Sequence, residues 1–129
     1  MKLTPVLVVN EVEACLPFWV GRLGFTKVAE VPEGDRIGFA ILVNEGVELM
    51  LQAHESVRQD FAPFAPAGSP QGVTLFVELP DFEDILRRLD GYPVEMPERT
   101  TFYGMREIGV RDPAGHIVIL ASPAAQQGE

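Results

Sequence analysis

The chain has 129 residues, 47% of them hydrophobic, and a formal net charge of −9 from nineteen acidic against ten basic side chains. That is the length of one domain with enough apolar material for a core, and the acidity excludes the basic footprint of a phosphate-tracking protein, so no nucleic-acid partner is expected. No apolar run is long enough to cross a bilayer, the lone Cys15 excludes an internal disulfide framework, and the first residues lack the layout of a signal peptide, so a cytoplasmic protein without a membrane partner is expected.

In chain order, residues 3–9 are a short Val-rich apolar run and read as a buried strand. Asn10 stands where it can cap the next helix, with Glu11 and Glu13 in the first turn, where the dipole favours anions. Val12, Cys15, Leu16, Trp19 and Leu23 recur at helical spacing as one apolar face, while Pro17 predicts a kink or a later start. Gly24 ends the helix. Strands follow at 27–31, 37–43 and 47–52, with turns at 32–35 and 44–46. Residues 54–69 hold a short helix at most, and 62–72 are rich in Pro and Gly. The pattern then restarts with a strand at 73–79 and a helix capped by Asp81 that turns Phe82, Ile85, Leu86 and Leu89 inward. Gly91 stops that helix, and strands are expected at 93–96, 105–110 and 117–121, the last two joined by the turn Asp112-Pro113-Ala114-Gly115.

The two halves therefore repeat. Thr4 answers Thr74, Gly24-Phe25 answers Gly91-Tyr92, and Gly46 answers Gly115. The expected fold is α+β: two βαβββ modules, about 1–53 and 72–123, whose curled mixed sheet surrounds a groove within one domain spanning 1–129, with 54–71 between them. Period-two alternation separates Val47, Leu49 and Leu51 from Glu48, Met50 and Gln52. It likewise separates Val73, Leu75, Val77 and Leu79 from Thr74, Phe76 and Glu78. The uniformly apolar sets should pack on the helices, and the mixed sets should face a ligand.

Phe18-Trp19-x-x-x-Leu23-Gly24-Phe25, and later Tyr103-Gly104-Met105-Arg106-Glu107 followed by Val110-Arg111-Asp112-Pro113-Ala114-Gly115, carry a family resemblance. Over nearly its whole length the chain resembles the vicinal oxygen chelate superfamily of glyoxalases, extradiol dioxygenases, and fosfomycin- and bleomycin-resistance proteins. It is most similar to the bleomycin-resistance type, with Tyr103 and Ile108 standing where that pattern usually has Trp and Phe. The resemblance implies a homodimer, and in metal-dependent members four ligands on the first and last strands of the two modules. Those points fall here on Thr4, Thr74, Met50 and Ile119, none a good donor to a divalent ion. Glu48, two residues from Met50 on the same face, is the one carboxylate a register shift could bring in. His54 and His116 read as ordinary surface or turn histidines, and Asp81 and Asp112 as a cap and a turn former.

No cofactor and no metal are therefore expected. The remaining face presents Phe39, Glu48, Met50, Thr74, Phe76, Glu78, Tyr103, Met105, Glu107 and Ile119 as candidate ligand-binding residues. Apolar and aromatic walls with a few acids suit a flat, amphipathic or cationic small molecule. The expectation is a metal-independent binding protein that sequesters such a ligand in a dimer groove, as bleomycin-resistance proteins do. The alternatives are a metal-dependent glyoxalase-type lyase, isomerase or dioxygenase, an enzyme using Glu48, Glu78 or Glu107 as general base, and a module that scavenges or senses an endogenous metabolite. No nucleophile constellation is present. Cys15 and Trp19 lie on the apolar helix stripe, Trp19 as core or dimer contact.

Overall fold

The computed structural model describes residues 2–61, 74–101 and 104–124. The chain forms two compact units, Met1–Pro70 and Gln71–Glu129. The first contains β1 (Val6–Val9), α1 (Val12–Leu16) continuing as a π-helical segment (Pro17–Arg22), β2 (Thr26–Glu33), β3 (Arg36–Asn44), β4 (Val47–Ala53) and α2 (His54–Phe61). The second contains β5 (Thr74–Glu78), α3 (Phe82–Arg88), β6 (Met96–Thr100), β7 (Met105–Arg111) and β8 (Ile117–Pro123). The sheets run β1-β4-β3-β2 and β5-β8-β7-β6. The pairs β1–β4 and β5–β8 are parallel and the others antiparallel. This is the expected α+β architecture of a repeated βαβββ unit.

Pro17 neither delays nor stops the first helix. Lacking an N–H, it cannot donate the bond that would continue the α-helical ladder, and the chain passes at that residue into wider π turns. The segment closes through Leu23 N–H to the Phe18 carbonyl at 3.0 Å and Phe25 N–H to the Trp19 carbonyl at 3.0 Å. The wider turn alters which side chains face inward. Phe18 and Trp19 are both buried, their rings edge-to-face at 5.1 Å, whereas Leu16, expected inside, is only half-buried. Gly24 and Gly91 follow the two helices with φ of 84° and 76°, a left-handed turn that a side chain disfavours and that closes a helix end.

Asn10 does not cap α1. Glu11 occupies the cap without a side-chain bond to the helix. The acids there reach instead to the β2–β3 hairpin: Glu11 accepts from Arg36 at 2.8 Å and Glu13 accepts from the Ile37 N–H at 2.9 Å. That backbone hydrogen bond from Ile37 is the main reason the Glu13 carboxyl is held below its ordinary value of 4.5. A group whose folded-state value is depressed stabilises the fold above its ordinary value, and the contribution disappears as pH falls through the folded value. Glu13→Gln should therefore lower the urea midpoint most near neutral pH, and the gap to wild type should close below 4.5. A gap that stays constant down to strongly acidic pH would show that the charge of Glu13 contributes nothing.

In the second unit Asp81 caps α3 as expected, accepting from the Glu83 N–H at 3.1 Å, and Phe82, Ile85 and Leu89 are buried. The guanidinium of Arg106 lies 4.3 Å from the centre of the Phe82 ring. Ile108, Val110, Val118 and Leu120 complete the helix-facing set. One expected strand is displaced: pairing was anticipated at 93–96, but β6 begins at Met96. Pro93 has no N–H to give, and the Tyr92 N–H is taken by the Leu89 carbonyl at 2.8 Å. The first bond to β7 is from Glu95 N–H to the Gly109 carbonyl at 2.9 Å. The register then shifts between Met96 and Arg99, which pair with Gly109 and Glu107. One extra residue on β6 thus returns both side chains to the same face.

Candidate functional site

In each sheet the alternation buries one face and leaves the other partly open. In the first unit Val6, Met50, Ile41 and Ala29 form one cross-strand row, and Val8, Gln52, Phe39 and Val31 the next. Met50, Gln52, Phe39 and Ile41 are half-buried and Val31 is exposed, while Leu49, Leu51, Ala40 and Leu42 on the opposite face are buried. Of the candidate residues, Phe39 and Met50 therefore share an apolar, partly open surface. Glu48 lies one row further along, opposite Val43. Its carboxylate is held by the Lys2 ammonium. A lysine at the start of the chain had not been anticipated as its partner.

In the second unit the rows read Thr74, Ile117 and Arg111; Phe76, Ile119, Gly109 and Met96; Glu78, Ala121, Glu107 and Arg99; and Pro123 with Met105. Five candidates, Thr74, Phe76, Glu78, Glu107 and Ile119, thus stand in three adjacent rows of one face, with Met105 in the fourth. Tyr103 lies outside the described residues. Two carboxylates on this face have different environments. Glu107 is 1% exposed and accepts from Nε of Arg99 at 3.1 Å, so its charge is already answered. Glu78 is exposed and has no hydrogen-bond or ion-pair partner among the described residues. Phe76, two residues away on the same side, is 51% exposed. An aromatic face beside an unanswered carboxylate is a surface that attracts a flat or cationic group.

The histidines lie elsewhere. His54 begins α2. His116 is not the surface residue its turn position suggested. It is buried, with Nδ1 3.0 Å from Oδ1 of Asp112, and it shares the parity of Val118 and Leu120 on the helix-facing side. Cys15 is buried on the inner face of α1. A hollow of about 520 Å³ lies beside Tyr92, Val94, Glu95, Arg111 and Pro113. Its polar groups are largely engaged with one another: the Tyr92 hydroxyl donates to the Arg111 carbonyl, and Arg111 Nε donates to Glu95, each at 2.5 Å. None of the candidate residues lines it.

In neither unit do the mapped side chains fit a divalent ion. Thr74 and Ile119, at two of the mapped positions, stand on adjacent strands and supply one neutral hydroxyl between them. Met50 supplies a thioether, and Glu48 is neutralised by Lys2. Among the described residues no three His, Cys, Asp or Glu side chains come together, whereas a catalytic ion is held by three or more good ligands.

Met96 and Arg99 also belong to the open face, and sequence reading missed them. At an odd separation a regular strand would set them on opposite faces, and only the irregularity around Pro97, itself unable to donate to a ladder, places them together.

Solved structures agree with this architecture. The chain is similar to a glyoxalase/bleomycin resistance protein/dioxygenase from Nocardioides, at 25% identity over 100% of this chain and 89% of that one, with a TM-score of 0.74. It is similar in fold to a glyoxalase-related enzyme from Fulvimarina pelagi, at 20% identity over 95% of this chain and 87% of that one, with a TM-score of 0.76. It is also similar in fold to TioX from Micromonospora sp. ML1, at 18% identity over 95% of this chain and 98% of that one, with a TM-score of 0.72. No curated protein matches the chain. The family model of the Glyoxalase/Bleomycin resistance protein/Dioxygenase superfamily matches residues 3–120, and the chain belongs to that superfamily.

Proposed function

We propose that this protein binds a flat or cationic small molecule without a metal, as a homodimer, and acts by sequestering it in the manner of bleomycin-resistance proteins. The observation that carries this reading is the half-exposed Phe76 ring beside Glu78, a carboxylate with no partner among the described residues. A ring face and a nearby anion attract the same kind of group, a planar cation, and their effects add. The mapped metal positions support the reading from the other side, because their side chains offer too few donors. Sequestration requires affinity alone, with no transition state to stabilise.

Thermal-shift and calorimetric titrations with bleomycin and with proflavine, a planar cation, test the reading. Both should raise the melting temperature, since a ligand that binds only the folded state stabilises it. Phe76→Ala should weaken proflavine about tenfold, within the range of stacking and cation–π contacts. Glu78→Gln should weaken it less, and the remaining affinity should depend less on salt. Stoichiometric metal in protein purified without chelator, together with metal-dependent turnover of a small carbonyl substrate, would instead establish the glyoxalase-type alternative.

A further inference from the structure

The second row of the open face in the second unit has an unusual gap. Phe76, Ile119, Gly109 and Met96 stand side by side across four strands, so the row is about 14 Å wide at ordinary strand spacing. Gly109 contributes no side chain. A Cβ placed there would lie 2.8 Å from the Met96 Cβ and 3.6 Å from its Cε. The Met96 side chain therefore lies across the Gly109 backbone and fills the place of the missing one. Met96 opens an edge strand, so nothing in the sheet pairs beyond it. Its Cβ is fixed to the strand, but beyond it the side chain is unbranched, with rotatable bonds and a polarizable sulfur, so the end carrying Cε can leave and re-cover the Gly109 backbone at little cost. When it swings away, a trough floored by glycine backbone opens beside Ile119, in line with the exposed Phe76 ring.

We infer that Met96, lying over Gly109, is the specificity-determining residue that sets how wide a ligand this face accepts, and that it favours planar cations of several fused rings over cations bearing a single ring. The inference rests on the reading of the face as a ligand surface. Phe76 and Glu78 hold one end of the ligand, and a fused-ring system long enough to cross Ile119 reaches the place Met96 vacates. A single ring stops short of it and leaves Met96 where it is. The neighbouring row sharpens the contrast: there Arg99, from the same edge strand, is bound to the buried Glu107 and does not give way so readily.

The experiment compares affinities for proflavine, with three fused rings, and benzyltrimethylammonium, with one, by calorimetry on wild type, Met96→Ala, Gly109→Ala and Phe76→Ala. Met96→Ala leaves the trough open and should raise the preference for proflavine over benzyltrimethylammonium roughly tenfold, the scale at which a hydrophobic site discriminates by one or two carbons. Gly109→Ala puts a second Cβ 2.8 Å from that of Met96, so β6 and β7 must shift apart there, and it should weaken proflavine more than benzyltrimethylammonium. If Gly109→Ala does not fold, Met96→Ala decides alone, because it removes atoms and adds none. An unchanged proflavine preference in Met96→Ala, with both probes still weakened by Phe76→Ala, overturns the role of Met96 and leaves the face intact as a site. Failure of wild type to bind either probe, or indifference of both probes to Phe76→Ala, overturns the reading of the face and the role of Met96 with it.

Discussion

Asp112→Ala is expected to destabilise the second unit by on the order of 3 kcal/mol, because one small substitution strips two backbone donors and a buried imidazole nitrogen of their partner at once. Oδ1 of Asp112 accepts from the Ala114 N–H at 3.1 Å and the His116 N–H at 2.8 Å. The same carboxylate faces His116 Nδ1 at 3.0 and 3.1 Å. Asp112 and His116 are both buried, so water does not readily replace these bonds. The turn they shape sets the β7–β8 register, through Asp112 N–H to the His116 carbonyl and Gly115 N–H to the Asp112 carbonyl, both at 2.9 Å. Asp112→Asn keeps an acceptor oxygen and should lose less. Urea unfolding followed by circular dichroism measures both variants. A loss below about 1 kcal/mol in Asp112→Ala would mean that the turn is held by its backbone bonds and not by the carboxylate.

Trp19→Ala should destabilise the first unit by about 3–5 kcal/mol, the range for deleting a large buried aromatic. Trp19 is 1% exposed and meets two rings edge-to-face, Phe18 at 5.1 Å and Phe25 at 5.8 Å. Both the lost apolar burial and the cavity contribute, and edge-to-face pairs add beyond area. Trp19→Phe should recover a large part of the loss. Trp19 is the sole tryptophan, so its removal abolishes the tryptophan fluorescence signal and unfolding is followed by circular dichroism. A near-neutral Trp19→Ala would mean that this part of the core closes over the cavity.

The face assignments were legible because alternation is a property of adjacent residues. Glu48, Met50 and Gln52 diverge from Leu49 and Leu51, and Thr74, Phe76 and Glu78 from Leu75 and Val77, as their polarity indicates. The helix-capping role of Asp81 was legible for the same reason, since its partner is two residues away. Features that depend on a break in periodicity were not. Pro17 predicts a kink or a later start, yet the chain accommodates it by widening the turn, and Phe18 and Trp19 are both buried. The strand expected at 93–96 ends at Met96, whereas β6 begins there and its irregularity sets Met96 and Arg99 on one face, which adjacent residues do not reveal.

Burial and long-range partners form the other class. A histidine directly after Asp-Pro-Ala-Gly reads as a surface or turn residue; its carbonyl does close the turn, but its ring is buried. Glu48 is the carboxylate a register shift could offer a metal, and its neutralisation by Lys2, forty-six residues away, depends on β4 returning to pair with β1.

The amino-acid order alone thus carried the repeat, the α+β class and the inward and outward sets of the strands around Leu49–Leu51 and Leu75–Val77, since each follows from residue identity and short-range spacing. Chain folding decided which charges are answered, which of two acids on one face is buried against Arg99 and which is exposed, and that Met96 stands against Gly109. Those outcomes depend on register between strands distant in sequence, where one extra residue moves a side chain to the other face.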